Sequence, residues 1–357
     1  METIKERNFG LDVLRSVAIF LVVFSHSFHF VSDQFSFLDF LLRIDGVNLF
    51  FVLSGFLIGS ILLKTPVTFN SYVIFWKRRW YRTIPNYFLF LFLNIILIYF
   101  HQVDGTLNIY LVTYFVFMQN FLKPYDFLFW ESWSLCVEEW FYLITPFLSL
   151  LFSKMFKFRT LIYRNIILSI IVIILLSMSC RFILSLYPLD FDLYFRKLVI
   201  CRLDMIAYGV IAALVLNKYS NLWVQFKWHF FTIGILGLFV LKSGIFKMDD
   251  FFHKTFFYLF EGLFTIFLLP FMTSLKSNNI SKKIAAFLSK ISYSLYLVHM
   301  PIIGIIHTNL YAKNEQMPLV FYFLFWVVLI ALSHVIYRYF EFPMTEKRPK
   351  ENTSLVV

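Results

Sequence analysis

Arg15 and His26 lie eleven residues apart in the apolar run VLRSVAIFLVVFSHSFHF. Eleven helical steps of about 100° return to within roughly 20° of the start, so both side chains fall on one face. A rise of about 1.5 Å per residue puts the imidazole on the order of 16 Å from the guanidinium, near the middle of a bilayer. An ionisable group at that depth is costly unless it faces a protein-lined or watery interior, which marks it for function. A neutral imidazole there takes a proton from a hydroxyl or accepts an acyl group itself. The alternative is a packing histidine; the face shared with Asp12 and Arg15 favours chemistry. Arg15 either contacts an anionic substrate or anchors the helix, and Asp12, one turn earlier, is placed to pair with it. Arg15 is too far from His26 to touch it, so the two would hold opposite ends of one long molecule.

Four further runs carry polar groups in apolar surroundings. FWKRRWYRTIP holds Lys77, Arg78, Arg79 and Arg82 just before the third apolar segment. Arg79 and Arg82 share a helical face and would clamp a phosphate bidentately, unless they are only the basic residues usual in a cytoplasmic loop. WESWSLCVEEWFYLITP puts Glu138 and Glu139 at the outer start of the fourth segment, beside Trp133 and Trp140. A carboxylate there would orient an imidazole or bind sugar hydroxyls while an indole stacks on the sugar; the other reading is an aromatic interfacial belt with solvated acids. CRLDMIAYG embeds Arg202 and Asp204 as a charged pair, structural or acceptor-facing, and ISYSLYLVHMP groups Tyr293, Tyr296 and His299. His29 reads as an interface residue and Glu341 as the partner of a nearby cation. Ser54, Gly55 and Gly59 read as small residues for close helix packing. Cys136, Cys180 and Cys201 show neither metal spacing nor a paired framework, so no metal is expected.

The chain that must position these groups is 60% hydrophobic and 15% charged, with mean hydropathy +0.75. Soluble domains carry about 25% charged residues, so a soluble protein is excluded. Apolar windows close to ~20 residues match the ~30 Å hydrocarbon core, and they are too long and too unalternating for barrel strands. The expected fold is an all-α polytopic transmembrane bundle of about ten spans: 11–30, 46–63, 83–101, 134–153, 164–186, 198–216, 228–242, 255–275, 291–311 and 318–337. If the apolar stretch 107–122 stays outside as an interfacial or re-entrant piece, both termini are cytoplasmic. The inner stretches then carry 21 Lys and Arg residues against eight outside. The net charge of +11 follows from that bias at helix ends and does not point to nucleic acid. The first segment contains Asp12 and Arg15 and has no small-residue cleavage site, so it is expected to remain as a helix.

Taken in order, these blocks resemble the membrane-bound acyltransferase-3 family, whose members O-acylate bacterial surface glycans. GLDVLRSVAIFLVVFSHS, with the Arg-x10-His pattern of Arg15 and His26, is similar to the family's opening helix. GVNLFFVLSGFLIG, RRWYRTIP, WSLCVEEWFYL, CRLDMIAYG, ISYSLYLVHMP and YRYFEFPM are similar to its later blocks. The resemblance implies one integral membrane acyltransferase domain over 1–345 and a short polar cytoplasmic tail over 346–357, in the cell (inner) membrane. It implies a cytoplasmic acyl-CoA donor, acetyl-CoA first, and an acceptor hydroxyl on a cell-envelope polysaccharide or lipid-linked glycan. His26 would be the catalytic imidazole and Arg15 its companion. Arg78, Arg79 and Arg82 would lie near the CoA phosphates, with Glu138 or Glu139 shaping the acceptor side. Asp12, Trp133, Arg202, Asp204, Tyr293 and His299 are the candidate substrate contacts.

Three departures stand out. Asn48 occupies a position where members often carry an acid, Cys136 replaces a common Ser, and Trp140 replaces a common Gln. Many relatives also carry a C-terminal extracytoplasmic hydrolase-like domain, so this chain is expected to complete transfer itself, as a homo-oligomer, or with a separate envelope protein. The rival reading is an exporter or flippase of a polysaccharide or lipid-linked sugar; no internal repeat or matched pair of broken helices supports it.

Overall fold

The fold was analysed in a computed structural model, which describes residues 7–124, 128–156, 161–244, 250–277, 280–310 and 316–349. Lys5, Lys157, Arg159, Lys247, Lys313 and Lys350, all counted in the charge distribution, lie outside the described residues, as do Tyr311 at the end of the ninth expected span and residues 350–357 of the tail. Ten long helices order the described chain: α1 (Phe9–Ser27), α2 (Gly46–Leu62), α3 (Phe69–Tyr99), α4 (Ser132–Met155), α5 (Ile162–Ser185), α6 (Leu203–Lys218), α7 (Lys227–Ser243), α8 (Asp250–Ser274), α9 (Ile280–Asn309) and α10 (Leu319–Ile336). No strand occurs among the described residues. The protein is an all-α polytopic membrane bundle. Eight helical stretches are long and apolar enough to cross a bilayer. Helices α6 and α7, with 16 and 17 residues, are shorter than these eight.

Several boundaries differ from the sequence reading, each for a local reason. Helix α3 begins at Phe69, fourteen residues before the expected start, because Thr68 caps it through Ser71 N–H at 3.3 Å. The run FWKRRWYRTIP is therefore the interior of a 31-residue helix and not a basic loop before it. Helix α9 likewise starts at Ile280. Past α10 the chain stays helical, through a π-helical turn at Tyr337–Glu341 and a short helix at Phe342–Glu346.

The stretch 107–122 contains only a five-residue helix, Leu111–Phe115. Irregular backbone inside an apolar protein persists only where its polar groups find partners. Here the Phe117 carbonyl accepts from Trp140 Nε1 and Cys136 Sγ, both at 2.7 Å. Asn120 binds the carbonyls of Trp133 at 3.1 Å and Lys197 at 2.5 Å. The two departures at 136 and 140 thus hold this segment in place.

Small residues set a close crossing between α2 and α6. A Cβ on Gly55 would meet the Ile206 carbonyl oxygen at 1.9 Å, and one on Gly209 would meet that of Val52 at 2.1 Å. Gly55 and Gly59 act as the packing reading expects, whereas Ser54 faces the other way and bonds the Tyr142 hydroxyl at 2.5 Å. Backbone cannot yield as a side chain tip does, so Gly55→Val or Gly209→Val should destabilise the bundle by about 3 kcal/mol or more. Thermal unfolding in detergent checks this; an unchanged midpoint for both would mean the helices are not in contact there.

Candidate active site

Helix α1 carries Asn8 as its N-cap, with Leu11 N–H on Asn8 Oδ1 at 3.1 Å, and runs unbroken to Ser27. His26 therefore sits in the last turn, about 25 Å from the helix start at 1.5 Å per residue. Its ring turns inward. His26 Nδ1 lies 2.9 Å from His299 Nε2, with the rings stacked at 5.1 Å between centroids. His299 is fully buried on α9, and its Nδ1 lies 2.6 Å from the Tyr296 carbonyl oxygen.

A carbonyl oxygen only accepts, so His299 Nδ1 carries the hydrogen. In neutral His299 the Nε2 lone pair then accepts from His26 Nδ1–H, which leaves the basic lone pair on His26 Nε2. One buried histidine thus fixes the tautomer and ring plane of the other. His26 opens onto two cavities. One of about 390 Å³ is walled by Asp45, Asn48, Arg196, Lys242, Tyr258 and Glu261 among others. The other, about 380 Å³, lies against His29, Asn94, Asp104, Glu131 and His307.

A third cavity, about 100 Å³, gathers the arginines. Arg15 from α1, Arg79 and Arg82 from α3, Glu138 and Tyr142 from α4, and Tyr293 and Tyr296 from α9 all line it. Among the described residues no hydrogen bond or ion pair engages the three guanidiniums. Asp12 is not the partner of Arg15. Both of its oxygens are taken by Arg7, at 2.6 and 3.0 Å, and Ser289 Oγ adds a 2.7 Å bond that ties α1 to α9. Asp12 is thus buried and engaged by Arg7 and Ser289. Glu138 and Glu139 do not lie on the histidine side. Glu138 lines the arginine cavity, and Glu139 accepts from Thr83 Oγ1 at 2.6 Å. The fourth helix's first turn and a half, residues 132–137, is buried, which carries both acids inward.

Other expected contacts are placed elsewhere. Arg78 leaves the cavity and donates to the Pro349 carbonyl at 2.7 Å. Trp133 is buried and perpendicular to Phe51, with Arg196 5.7 Å from its ring centroid. Arg202 and Asp204 do not pair with each other. Asp204 takes two bonds from fully buried Arg181, at 2.7 and 3.0 Å, and a third from Tyr208 at 3.1 Å. Arg202 stacks 3.6 Å from the Tyr258 ring centroid and donates to Asn48 Oδ1. Asn48 in turn donates to Glu261 at 2.6 Å, and Glu261 pairs with Lys242. The amide at 48, where an acid is common in the family, therefore links a cation to an acid supplied by α8. Glu341 accepts from Ser294 at 2.5 Å and Asn86 at 3.1 Å, and no cation pairs with it among the described residues. Tyr293 donates to the Thr83 carbonyl at 2.9 Å.

The sequence reading missed Glu261 and Asp45. Glu261 in YLFEGLFTIF is an acid inside an apolar run, the same signal that singled out His26. It also missed the approach of Cys180 Sγ and Cys201 Sγ to 3.4 Å, which no spacing announces.

A membrane bundle with a buried, oriented histidine and a cavity of unpaired arginines matches one family along almost its whole length. The chain belongs to the family of the acyltransferase domain (Acyl_transf_3), whose model matches residues 8–338. It is similar to O-acetyltransferase OatA of Staphylococcus aureus strains NCTC 8325 and MRSA252, at 28% identity over 365 residues, covering 95% of this chain and 57% of each relative. SACOL0978 of S. aureus strain COL is 27% identical over 375 residues with the same coverage. The chain thus spans a little over half the length of these relatives. No solved structure matches it.

If His299 positions His26, His299→Ala should lower acyl transfer about 10- to 100-fold, the range usual for loss of an outer partner to a functional histidine. His299→Gln, whose amide oxygen still accepts from His26 Nδ1–H, should retain more activity. Equal losses in the two variants, at equal folded protein, would remove the positioning role.

Proposed function

We propose that this chain moves an acetyl group from cytoplasmic acetyl-CoA to a hydroxyl of a cell-envelope polysaccharide or lipid-linked glycan. One observation carries the reading: three guanidiniums with no hydrogen-bond or ion-pair partner among the described residues converge on a cavity that Tyr296 also lines, and Tyr296 lies one turn from His299. A charge-bearing cavity inside an apolar bundle is costly unless a ligand of opposite charge completes it. CoA phosphates are such a ligand, and the thioester lies at the end of the molecule farthest from them. The names of the Staphylococcus relatives support acetyl as the group and oxygen as its acceptor.

In this mechanism Arg15, Arg79 and Arg82 bind the donor's phosphates from the cytoplasmic side, both termini being cytoplasmic and the membrane the inner one. The acceptor hydroxyl reaches His26 through one of the two larger cavities. His26 Nε2 takes the hydroxyl proton, with the imidazolium stabilised through its Nδ1–H bond to His299. The oxygen attacks the thioester carbonyl, the C–O bond forms, and the C–S bond breaks. The thiolate leaves and receives the proton, so the products are the ester and free CoA. Ser54, Tyr142 and Thr83 line the donor cavity as hydrogen-bonding groups for the arm between phosphates and thioester.

Membranes holding equal amounts of each variant and given labelled acetyl-CoA test the assignment. His26→Ala should lose about 10²- to 10⁴-fold in glycan acetylation, the usual span for a general base. Arg15→Ala and Arg82→Ala should raise the KM for acetyl-CoA about tenfold or more, the loss of a charged hydrogen bond. Full acetylation by His26→Ala would remove the imidazole from the chemistry.

A further inference from the structure

We propose that Cys180 and Cys201 are joined by a disulfide at the extracytoplasmic end of α5, closing the loop that walls one of the cavities at His26. The two thiols have no paired framework in the sequence; the fold brings them together. Cys201 Sγ donates to Cys180 Sγ at 3.4 Å. A disulfide is about 2.05 Å long, so the sulfurs need to close by only about 1.4 Å. The backbones that carry them are already fixed against each other. Arg181, next to Cys180, donates from Nη1 to the Cys201 carbonyl at 2.5 Å and binds both oxygens of Asp204 at 3.0 and 2.7 Å. These bonds hold the end of α5 on the start of α6 without help from the sulfurs. Cys136 is the contrast, since its thiol donates to the Phe117 carbonyl at 2.7 Å.

The inference uses the membrane orientation given under the proposed function and is independent of the transfer chemistry. With both termini cytoplasmic and 107–122 outside, α5 runs outward. Cys180 lies five residues before its end, and Cys201 lies two before the start of α6. Both therefore belong to the outer side, where oxidising surroundings let disulfides persist; a reducing cytosol would keep them as thiols. The bond forms by exchange with an external disulfide oxidant. Cys180 is half-buried and Cys201 fully buried, so Cys180 reacts first. Its thiolate attacks one sulfur of the oxidant, whose S–S bond breaks and whose other sulfur leaves as a thiol. Cys201 then attacks the Cys180 sulfur, and its proton goes to the second leaving thiolate. The cysteines lose two electrons and two protons, and the oxidant ends as two thiols.

The bond would close a loop between positions 21 residues apart. That loop contains the π-helical turn Phe191–Arg196, capped by Asp190, and both Phe191 and Arg196 line the 390 Å³ cavity with His26. Arg196 also pairs with Asp45 at 3.3 Å and Asp192 at 2.9 Å. Joining the loop's two ends restricts the unfolded chain and keeps this wall of the cavity together.

The experiment traps free thiols of the full-length protein in membranes with N-ethylmaleimide, under denaturant and without reductant. Reduction and a second, isotopically heavy maleimide follow, and peptides are read by mass spectrometry. The first label should fall on Cys136 alone, which also checks that trapping is complete, and the heavy label on Cys180 and Cys201. Cys180→Ser should move the first label onto Cys201 as well. Reductant should lower the wild-type unfolding midpoint by on the order of 5 °C and leave that of Cys180→Ser in place. If the variant does not accumulate, the wild-type labelling alone decides the bond. First label on all three cysteines overturns it, and a wild-type midpoint that reductant does not move overturns its hold on the loop. Diamide added to membranes with three free thiols tells the two failures apart. Linkage of 180 to 201 would then mean that the outward placement is wrong, and no linkage that the approach of the sulfurs is wrong. Acetyl transfer is scored separately, so neither result decides the proposed reaction.

Discussion

A charge inside an apolar bundle must find an opposite charge, a set of dipoles or a ligand, and this constraint sorts the arginines of the protein. Arg181 is fully buried and bound to both oxygens of Asp204. Arg202 is equally buried and rests on the Tyr258 ring and the Asn48 amide, which passes on to Glu261 and Lys242. Arg7 satisfies Asp12. These groups are spent on holding helices together. Arg15, Arg79 and Arg82 face one cavity with no such partner among the described residues. The contrast singles out these three arginines more firmly than the number of basic residues in the sequence does.

The same pairing explains how the helices are tied at the site. Asp12, Arg7 and Ser289 join α1 to α9 near the start of α1, and His26 with His299 joins them again near its finish. Two polar ties on one helix pair, one at each end, fix rotation as well as distance. That matters because a rotation of one residue, about 100°, would carry both Arg15 and His26 off the face they share. Close packing of α2 on α6 through Gly55 and Gly209 gives the bundle a second fixed contact.

Much of this was legible in the sequence, and the failures have identifiable physics. Composition and run length sufficed for an all-α membrane bundle. The helical period put Arg15 and His26 on one face, because eleven residues is close to three turns. The start of α1 at Phe9, two residues before the expected span, depends on the Asn8 cap, which a hydropathy window does not register. Helix α3 was shortened for the same reason: its arginines lower the mean hydropathy, although Thr68 marks its true start. Pairing was the least legible feature. Asp12 with Arg15 and Arg202 with Asp204 are near in sequence, yet each acid chose a cation that no spacing rule singles out, because tertiary placement decides which charge is closest. Trp133 and Trp140 failed similarly, since an indole in a belt and an indole in a core share one local sequence.

The geometry also bears on why the candidate base needs a second histidine rather than a carboxylate. An acid beside His26 would bring a full negative charge to a place that must stabilise developing negative charge on the acceptor oxygen. A neutral imidazole supplies the same Nδ1 orientation without that penalty, and its own proton is anchored on a backbone carbonyl that cannot titrate. The acids that were expected to orient the imidazole, Glu138 and Glu139, lie instead with the arginines or on Thr83. There Glu138 offsets part of the positive charge of the three guanidiniums, which suits the polyanionic donor proposed above. Asp45 and Glu261 in one cavity, and Asp104 and Glu131 in the other, border His26, so carboxylates lie near it while the Nδ1 position itself is taken by a neutral imidazole.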